Sequence, residues 1–130
     1  MRYLLFIAAL SALLPTHTIY VEKPVEVELD PVKQALFDKE VPLPLIRVAF
    51  CESSLKHWDS EGNVVINENS NGSVDRGLFQ VNSIHQETLD NMNLDPSNLY
   101  DNIDFALYLY NKNQLRDWSA SSHCQNNATT

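Results

Sequence analysis

The chain has 130 residues, which is enough for one domain with a single modest hydrophobic core. Its formal net charge of -8 argues against a nucleic-acid-binding protein, because such a protein presents a basic surface to the phosphates. The same charge argues against electrostatic adhesion to anionic polymers or lipid head groups.

The chain opens with the features of a secretory signal peptide. Arg2 supplies one positive charge, residues 3–14 are almost entirely apolar, and Pro15 and small polar residues follow. We therefore expect a signal peptide at residues 1–18, an extended tether at residues 19–29, and export to the periplasm, the cell envelope or the extracellular space. An uncleaved anchor and a buried N-terminal helix of a cytosolic domain are the alternatives for the first segment.

Helical patterns dominate the rest of the chain. Asp30 followed by Pro31 is typical of a helix cap and a first helical position. The longest predicted helix carries apolar residues at helical spacing. The predicted helices run from Asp30 to about Lys39, from about Leu43 to Ser54, from a cap at Ser83 to about Asn91, and from Ser97 or Asn98 to about Gln114.

A small irregular β-hairpin is predicted between the second and third helices. Residues 64–66 have the composition of a short strand, and residues 67–73 form a polar, glycine-containing return. Residues 77–82 are interpreted as a strand or turn that leads into the next helix. The predicted fold class is mainly α (α+β), with a helical domain at residues 30–124, one hairpin flap beside a cleft, and a frayed tail at residues 125–130.

The two cysteines, Cys51 and Cys124, predict a disulfide, because an even, widely spaced pair in an exported chain is usually bridged. The bridge would close a loop of about 70 residues and contribute on the order of 4 kcal/mol. Two free buried thiols are the alternative. No Cys-x-x-Cys occurs and the four histidines do not cluster at ligand spacing, so a zinc site is not predicted.

Glu52 is the strongest catalytic candidate. It follows the apolar residues Phe50 and Cys51 near a helix end, where burial and the helix dipole would both raise its pKa. A carboxyl group that stays protonated near neutral pH can give a proton to the leaving oxygen of a glycosidic bond. An ordinary surface glutamate on an amphipathic helix is the alternative interpretation.

Asp75 is the candidate for a second carboxylate, which could stabilise positive charge on a sugar, act as nucleophile or position water. Bracing the turn before Gly77 is the alternative. Gln80 and Asn82 carry the donors and acceptors that sugar hydroxyls and N-acetyl groups require, and bonding to local backbone groups is the alternative for them. Tyr108, on the longest predicted helix, is a candidate either for sugar contact or for the core.

Three segments follow one another in the chain: Glu52-Ser53, then Gly77-Leu78-Phe79-Gln80-Val81-Asn82, then Asn102-Ile103-Asp104-Phe105-Ala106-Leu107-Tyr108-Leu109-Tyr110. In this order they resemble the soluble lytic transglycosylase and goose-type lysozyme group of the lysozyme-like superfamily. The resemblance covers about residues 43–124, and Trp118-Ser119-Ala120-Ser121 with Cys124 is similar to the closing segment of small exported proteins of this architecture. Residues 71–83 are also similar to the flap of chicken-type lysozymes, whose second catalytic carboxylate matches Asp75.

The resemblance implies a lysozyme-like fold and cleavage of the β-1,4 bond between N-acetylmuramic acid and N-acetylglucosamine in peptidoglycan. It implies peptidoglycan glycan strands as the partner, with no metal and no cofactor. We also expect a monomer that binds no nucleic acid and contacts a membrane only through an uncleaved signal segment. Glu52 would be the general acid, and Asp75 a possible second carboxylate. The expected substrate contacts are Ser53, Gln80, Asn82 and Tyr108.

Two products of the cleavage are possible from the sequence. In lysozymes water completes the reaction, whereas in lytic transglycosylases the muramyl 6-hydroxyl closes a 1,6-anhydro ring. The Ala-Tyr-Asn segment that transglycosylases carry after the long helix is missing here, and the similarity at Asp75 favours hydrolysis. A catalytically silent peptidoglycan-binding or structural module is the rival interpretation, and the acid at Glu52 favours the enzyme.

Overall fold

The computed structural model describes residues 29–127. The predicted signal peptide, nearly all of the predicted tether and the last three residues of the predicted tail lie outside the described residues. Within them, several helices surround one small antiparallel sheet, which agrees with the predicted α+β class. The helices of residues 29–127 are all too short or too polar to cross a membrane.

Four of the five α-helices among residues 29–127 lie close to their predicted positions, and the last was not predicted. They are α1 (Pro31–Asp38), α2 (Leu43–Ser53), α3 (Gln86–Met92), α4 (Leu99–Asn113) and α5 (Ser122–Asn127). Asp30 caps α1 as predicted, because its Oδ1 accepts hydrogen bonds from the N–H groups of Val32 and Lys33 at 3.0 and 3.3 Å. Asn98 caps α4 in the same way, with its side chain accepting from the first turn.

The hydrophobic core lies around α4, which packs against α1, α2 and the sheet. Its buried side chains come from both the helices and the segment that follows the sheet's central strand. Leu45, Phe79, Leu89, Ile103 and Phe105 are among the largest fully buried residues. Trp118 also belongs to the core, and its indole N–H donates to the carbonyl of Phe79 at 3.0 Å.

The sheet has three strands rather than the single predicted hairpin: β1 (Ile66–Glu68), β2 (Val74–Arg76) and β3 (Val81–Asn82), in that spatial order. β1 begins later than predicted, because the N–H of Val65 is taken by the carbonyl of His57 at 3.0 Å. β3 forms because the chain reverses between Gly77 and Gln80, whose φ angles are 73° and 49°.

The helix cap predicted at Ser83 is wrong by one residue. Asn82 accepts from the N–H of Ile84 at 2.9 Å and caps a 3₁₀ helix (Ser83–His85) that leads into α3. The hydroxyl of Ser83 instead accepts from the N–H of Val74 at 3.0 Å. Ser83 therefore ties this helix to β2.

The predicted frayed tail is also corrected within the described residues, because α5 continues to Asn127. Gln125 is buried, and its Nε2 donates to the carbonyl of Trp118 at 2.9 Å and to Ser121 Oγ at 2.7 Å. A buried amide with two partners holds this turn of helix against the core.

The predicted disulfide is confirmed. Cys51 in α2 and Cys124 in α5 are bridged, with their Cα atoms 5.9 Å apart. The bridge fixes α5 beside the end of α2, directly next to Glu52.

Candidate active site

A cavity of about 460 Å³ lies between the end of α2, the sheet and a 3₁₀ helix (Arg116–Ser121), which we call the late 3₁₀ helix. Its walls are mostly polar and combine carboxylates, amides and hydroxyls with a few apolar side chains. The lining residues are Glu52, Asn69, Ser70, Asn71, Ser73, Asp75, Gln80, Val81, Asn82, Ile84, His85, Leu109, Asp117, Trp118 and Ala120.

Glu52 occupies the second-last position of α2 on one wall of this cavity. The helix ends directly after it, because Ser54 and Leu55 adopt left-handed backbone with φ of 55° and 60°. Such backbone is strained for residues other than glycine and is found preferentially at functional sites. The abrupt end of α2 therefore fixes where the backbone of Glu52 lies beside the cavity.

The pKa of Glu52 is raised above its ordinary value. Burial is the largest cause, because it disfavours the charged carboxylate. A hydrogen bond from the hydroxyl of Ser121 opposes the shift, and the negative charge of Asp75 adds to it. The balance favours a carboxyl group that retains its proton to a higher pH than an exposed glutamate does, as the sequence predicted.

Asp75 reaches the cavity from the central strand β2, where it pairs with Asn67 on one side and Asn82 on the other. Its Oδ1 accepts from Asn82 Nδ2 at 2.6 Å, and its Oδ2 accepts from Asn69 Nδ2 at 2.8 Å. Each carboxylate oxygen is therefore fixed by an amide. Asp75 braces the sheet, and it lines the same cavity as Glu52.

Gln80 and Asn82 both line the cavity, and both also bond within the protein. Gln80 is buried; its Oε1 accepts from Asn67 Nδ2 at 2.6 Å and its Nε2 donates to the carbonyl of Gly77 at 2.8 Å. Asn82 holds Asp75 and caps the 3₁₀ helix that follows. Their amides thus shape the wall of the cavity.

Two residues expected to contact substrate are not brought to the cavity wall. The hydroxyl of Ser53 lies 2.7 Å from the carbonyl of Leu78 and 3.0 Å from that of Ala49, so it joins the end of α2 to the segment after β2. Tyr108 packs its ring on Phe105, with the centroids 5.7 Å apart. This contact follows the core alternative for Tyr108.

Several lining residues were not predicted as site residues from the sequence, and His85, Asp117 and Asn69 are among the polar ones. Asp117 is a third carboxylate, and its Oδ2 accepts from Asn113 Nδ2 at 3.0 Å. Asn69 was part of the polar return between the first two strands. Asn69 lies six residues before Asp75, on the other side of a tight hairpin, and this spacing could have predicted the hydrogen bond between the two side chains.

Behind the cavity, His57 joins three separate parts of the chain. Its Nδ1 accepts from the N–H of Leu78 at 3.1 Å, and its Nε2 lies 2.9 Å from the carbonyl of Ser97. Because Nδ1 accepts, the neutral ring must carry its proton on Nε2 and donate to Ser97. Burial lowers the pKa of His57, and the bond to Ser97 partly opposes this shift.

Asn102 and Gly77 complete this buried contact between α4 and the sheet. Asn102 Oδ1 accepts from the N–H of Phe79 at 3.0 Å, and its Nδ2 donates to the carbonyl of Arg76 at 2.9 Å. A Cβ added at Gly77 would stand 2.6 Å from Asn102 Nδ2 and 2.6 Å from His57 Cε1. Glycine is therefore required here by the close approach of both side chains.

Among residues 29–127 no group of three His, Cys, Asp or Glu side chains is placed to hold a metal ion.

The functional groups that line the cavity are a carboxyl group with a raised pKa, a second carboxylate held by two amides, and several further amides. In comparisons with protein family models, with curated proteins and with solved structures, the chain had no match.

Proposed function

We propose that the protein is an exported enzyme that cleaves the β-1,4 bond between N-acetylmuramic acid and N-acetylglucosamine in peptidoglycan, with Glu52 as general acid. One observation carries the proposal. Glu52, with its raised pKa, and Asp75 line one polar cavity, although they come from a helix and a strand that are separate in sequence. Two carboxyl groups with different environments are what glycosidic cleavage requires.

In the proposed mechanism, protonated Glu52 donates its proton to the glycosidic oxygen while the bond from that oxygen to C1 breaks. The sugar ring then carries positive charge, and the carboxylate of Asp75 stabilises that charge. Ionised Glu52 next acts as general base and takes a proton from the attacking hydroxyl. In a lysozyme-type reaction, that hydroxyl belongs to water.

The lining of the cavity supports an amino-sugar substrate. Asn69, Asn71 and Asn82 line the cavity. The Nδ2 groups of Asn69 and Asn82 donate to Asp75, whereas the amide oxygen of Asn69 can accept from, and the amide nitrogen of Asn71 can donate to, hydroxyl and N-acetyl groups. The choice of peptidoglycan among amino-sugar polymers comes from the family resemblance. The disulfide supports export, because such bridges persist in oxidising compartments.

The second carboxylate favours hydrolysis over transglycosylation within this proposal. Asp75 is held by two amides and lines the same cavity as Glu52. A carboxylate in that position can support the charged sugar that water attacks. The lytic transglycosylase remains the alternative product class, and product analysis separates the two.

The test is mass spectrometry of the fragments released from purified peptidoglycan by the mature protein and by its Glu52→Gln variant. Glutamine keeps the size of the side chain but cannot donate a proton from a carboxyl group, so we expect release to fall by at least about 100-fold. Reducing-end muramic acid identifies a hydrolase, and anhydro-muramic acid identifies a transglycosylase. Chitin oligosaccharides, assayed in parallel, test the choice of polymer.

Glu87→Gln is the matched control, because Glu87 is an exposed residue of α3 that does not line the cavity. It should release fragments at the wild-type rate. Equal and negligible release by the wild type and the Glu52→Gln variant would contradict the proposed enzymatic activity. The interpretation that remains would be a catalytically silent binding or structural module.

A further inference from the structure

The turn between β1 and β2, residues 69–73, contains a dipeptide with its own chemistry, Asn71-Gly72. It is the one place in the sequence where an asparagine precedes a glycine. In such a pair the glycine nitrogen can attack the side-chain amide carbon of the asparagine, because no Cβ on the glycine hinders its approach. Asn71 and Gly72 are both exposed, and Asn71 lines the cavity that Glu52 and Asp75 also line.

Two hydrogen bonds prepare the side-chain amide of Asn71 for this attack. Its Oδ1 accepts from the N–H of Ser73 at 3.0 Å and from the hydroxyl of Ser73 at 2.8 Å. The bond to an N–H two residues later is an Asx turn, which folds the side chain over the peptide of Gly72. Donors aimed at a carbonyl oxygen also stabilise the negative charge that grows on it when a nucleophile adds to the carbon.

One hydrogen bond opposes the attack. The N–H of Gly72 donates to the carbonyl of Asn69 at 2.9 Å, so this bond must open before the nitrogen can react. The opening has a low cost because the turn is exposed, and a Cβ built on Gly72 would meet nothing within 4 Å. The folded turn is therefore open enough to react.

We propose that Asn71 is a site of spontaneous deamidation, which replaces an amide on the cavity wall by a carboxylate. The Gly72 nitrogen loses its proton and bonds to Cγ of Asn71, while the bond from Cγ to Nδ2 breaks and ammonia leaves. Water then opens the resulting cyclic imide at either carbonyl, so each conversion consumes a water and releases ammonia. One opening gives aspartate, and the other gives isoaspartate, in which the main chain runs through the former side chain.

The modified residue would lie within the hydrogen bonds that hold Asp75. The hydroxyl of Ser73, which donates to the amide oxygen of Asn71, accepts from two further side-chain amides. These belong to Asn69 and Asn82, and both distances are 3.1 Å. The same two amides donate to the carboxylate of Asp75 at 2.8 and 2.6 Å. A change at Asn71 therefore reaches Asp75 through the hydroxyl of Ser73.

The two products should affect this network differently. Aspartate keeps the length of the backbone, and its carboxylate still offers Ser73 an acceptor. Isoaspartate inserts an extra carbon into a turn that is closed by the bond from the N–H of Asn69 to the carbonyl of Ser73 at 2.8 Å. The longer loop no longer matches that closure, so Ser73 should move and the two amides should lose their alignment on Asp75.

The experiment is peptide mapping by mass spectrometry after the mature protein has been incubated at mildly alkaline pH in ¹⁸O-labelled water. We expect the amide nitrogen of Asn71 to be replaced by an oxygen that carries the label, and electron-transfer fragmentation to find isoaspartate there. Conversion should accelerate as pH rises, because the deprotonated nitrogen is the nucleophile. The urea-unfolded protein is the positive control, and conversion there but not in the folded protein would overturn the proposal.

The chain contains a matched internal control, Asn63. It is exposed like Asn71, but the branched side chain of Val64 follows it and hinders the attack, so it should stay unmodified. Gly72→Ala should slow the conversion by at least about tenfold, because the added Cβ hinders the nitrogen. Asn71→Gln should abolish it, since the larger ring that glutamine would form closes far more slowly. Equal conversion at Asn63 and Asn71 would contradict the inference.

The side-chain amide signals of Asn69 and Asn82 report the effect on Asp75 without any catalysis. In ¹H–¹⁵N spectra they should move in the isoaspartate form, once it is separated by chromatography. They should stay close to their wild-type positions in Asn71→Asp, which has the charge without the extra backbone carbon. Equal shifts in the two forms would show that charge, and not the longer backbone, disturbs the network.

The inference does not depend on the proposed function. With an active enzyme, the isoaspartate form should also release peptidoglycan fragments more slowly than Asn71→Asp. Absence of release by the unmodified protein would count against the proposed function alone, because the peptide map and the amide signals need no activity.

Discussion

Asp75 of strand β2 and Glu52 of helix α2 line the same cavity, and the negative charge of Asp75 adds to the burial that raises the pKa of Glu52. The two carboxyl groups differ in their supports. Asp75 accepts hydrogen bonds from two amides, whereas Glu52 is partly buried at an apolar helix end. Such a difference is how one site can keep one carboxyl protonated and another charged.

Replacing Asp75 by asparagine should therefore lower the pKa of Glu52, because it removes a nearby negative charge. The high-pH limb of the activity profile should move to lower pH, and the plateau should fall if Asp75 supports the charged sugar. The measurements are fragment release as a function of pH and titration of the Glu52 side-chain carboxyl followed by its ¹³C chemical shift. Asp117→Asn is the matched control: Asp117 lines the same cavity but is not among the causes of the Glu52 shift, so it should leave the midpoint in place.

Substitution of Gly77 should be far more costly than substitution of Gly72. Both have left-handed backbone, with φ of 73° and 82°, and a side chain there costs roughly 1–2 kcal/mol in either case. At Gly77 the added Cβ would also collide with His57 and Asn102, whereas at Gly72 nothing lies within 4 Å. We expect Gly77→Ala to lose about a further 1–3 kcal/mol in urea unfolding. Equal losses at the two glycines would contradict the close packing at Gly77.

His57 should make the fold sensitive to mild acid. Its pKa is lowered in the folded state, so the unfolded chain takes up the proton first, and stability is complete above the unfolded pKa of about 6.5 and is lost as pH falls through the folded value. Protonation would also remove the acceptor that Nδ1 offers to the N–H of Leu78. The measurement is the free energy of unfolding in urea between about pH 8 and pH 5.5.

Glu52 changes the free energy of unfolding with pH in the opposite direction, so its effect must be removed from that measurement. Its raised pKa means that the folded state takes up a proton first, so this group adds stability as pH falls. The comparison is therefore made in a Glu52→Gln background. His57→Gln should flatten the acid loss, and His123→Gln, at an exposed position, should preserve it; an acid loss unchanged by His57→Gln would show that another group is responsible.

Much of this fold was predictable because its signals are local. The cap at Asp30, the span of α4 and the bridge between Cys51 and Cys124 each follow from residue types and their spacing, and each is present. The cap at Ser83 was mistaken because its neighbour Asn82 is an equally good cap and Ser83 has a distant partner in β2. Local chemistry could not decide between two adjacent cap residues.

The supports of the candidate site were harder to predict because they are non-local. His57 bonds to residues 21 and 40 positions away, and the indole of Trp118 bonds to the carbonyl of Phe79, 39 positions earlier. Glu52 was found because its apolar neighbours are adjacent in the chain. Ser53 and Tyr108 were placed at the substrate by family resemblance, which does not show where a hydroxyl or a ring turns within this chain.

Loss of the disulfide should reduce both stability and the order of the site. Cys51 and Cys124 are 73 positions apart, so replacing both by alanine should cost about 4 kcal/mol on the chain-entropy account. The measurement is urea unfolding of the double variant against the wild type. The Lys39–Asp104 pair, a partly exposed ion pair at 2.7 Å, is a useful contrast, since Lys39→Met should cost less than about 1 kcal/mol.

The position of the disulfide in the chain has a consequence for a nicked molecule. All the described residues that line the cavity, from Glu52 to Ala120, lie between the two bridged cysteines, and the exposed turn around Asn71 lies between them as well. A protease that cuts this turn would leave two fragments joined covalently beside Glu52. Each fragment would carry part of the cavity wall, and the pieces would separate only after reduction.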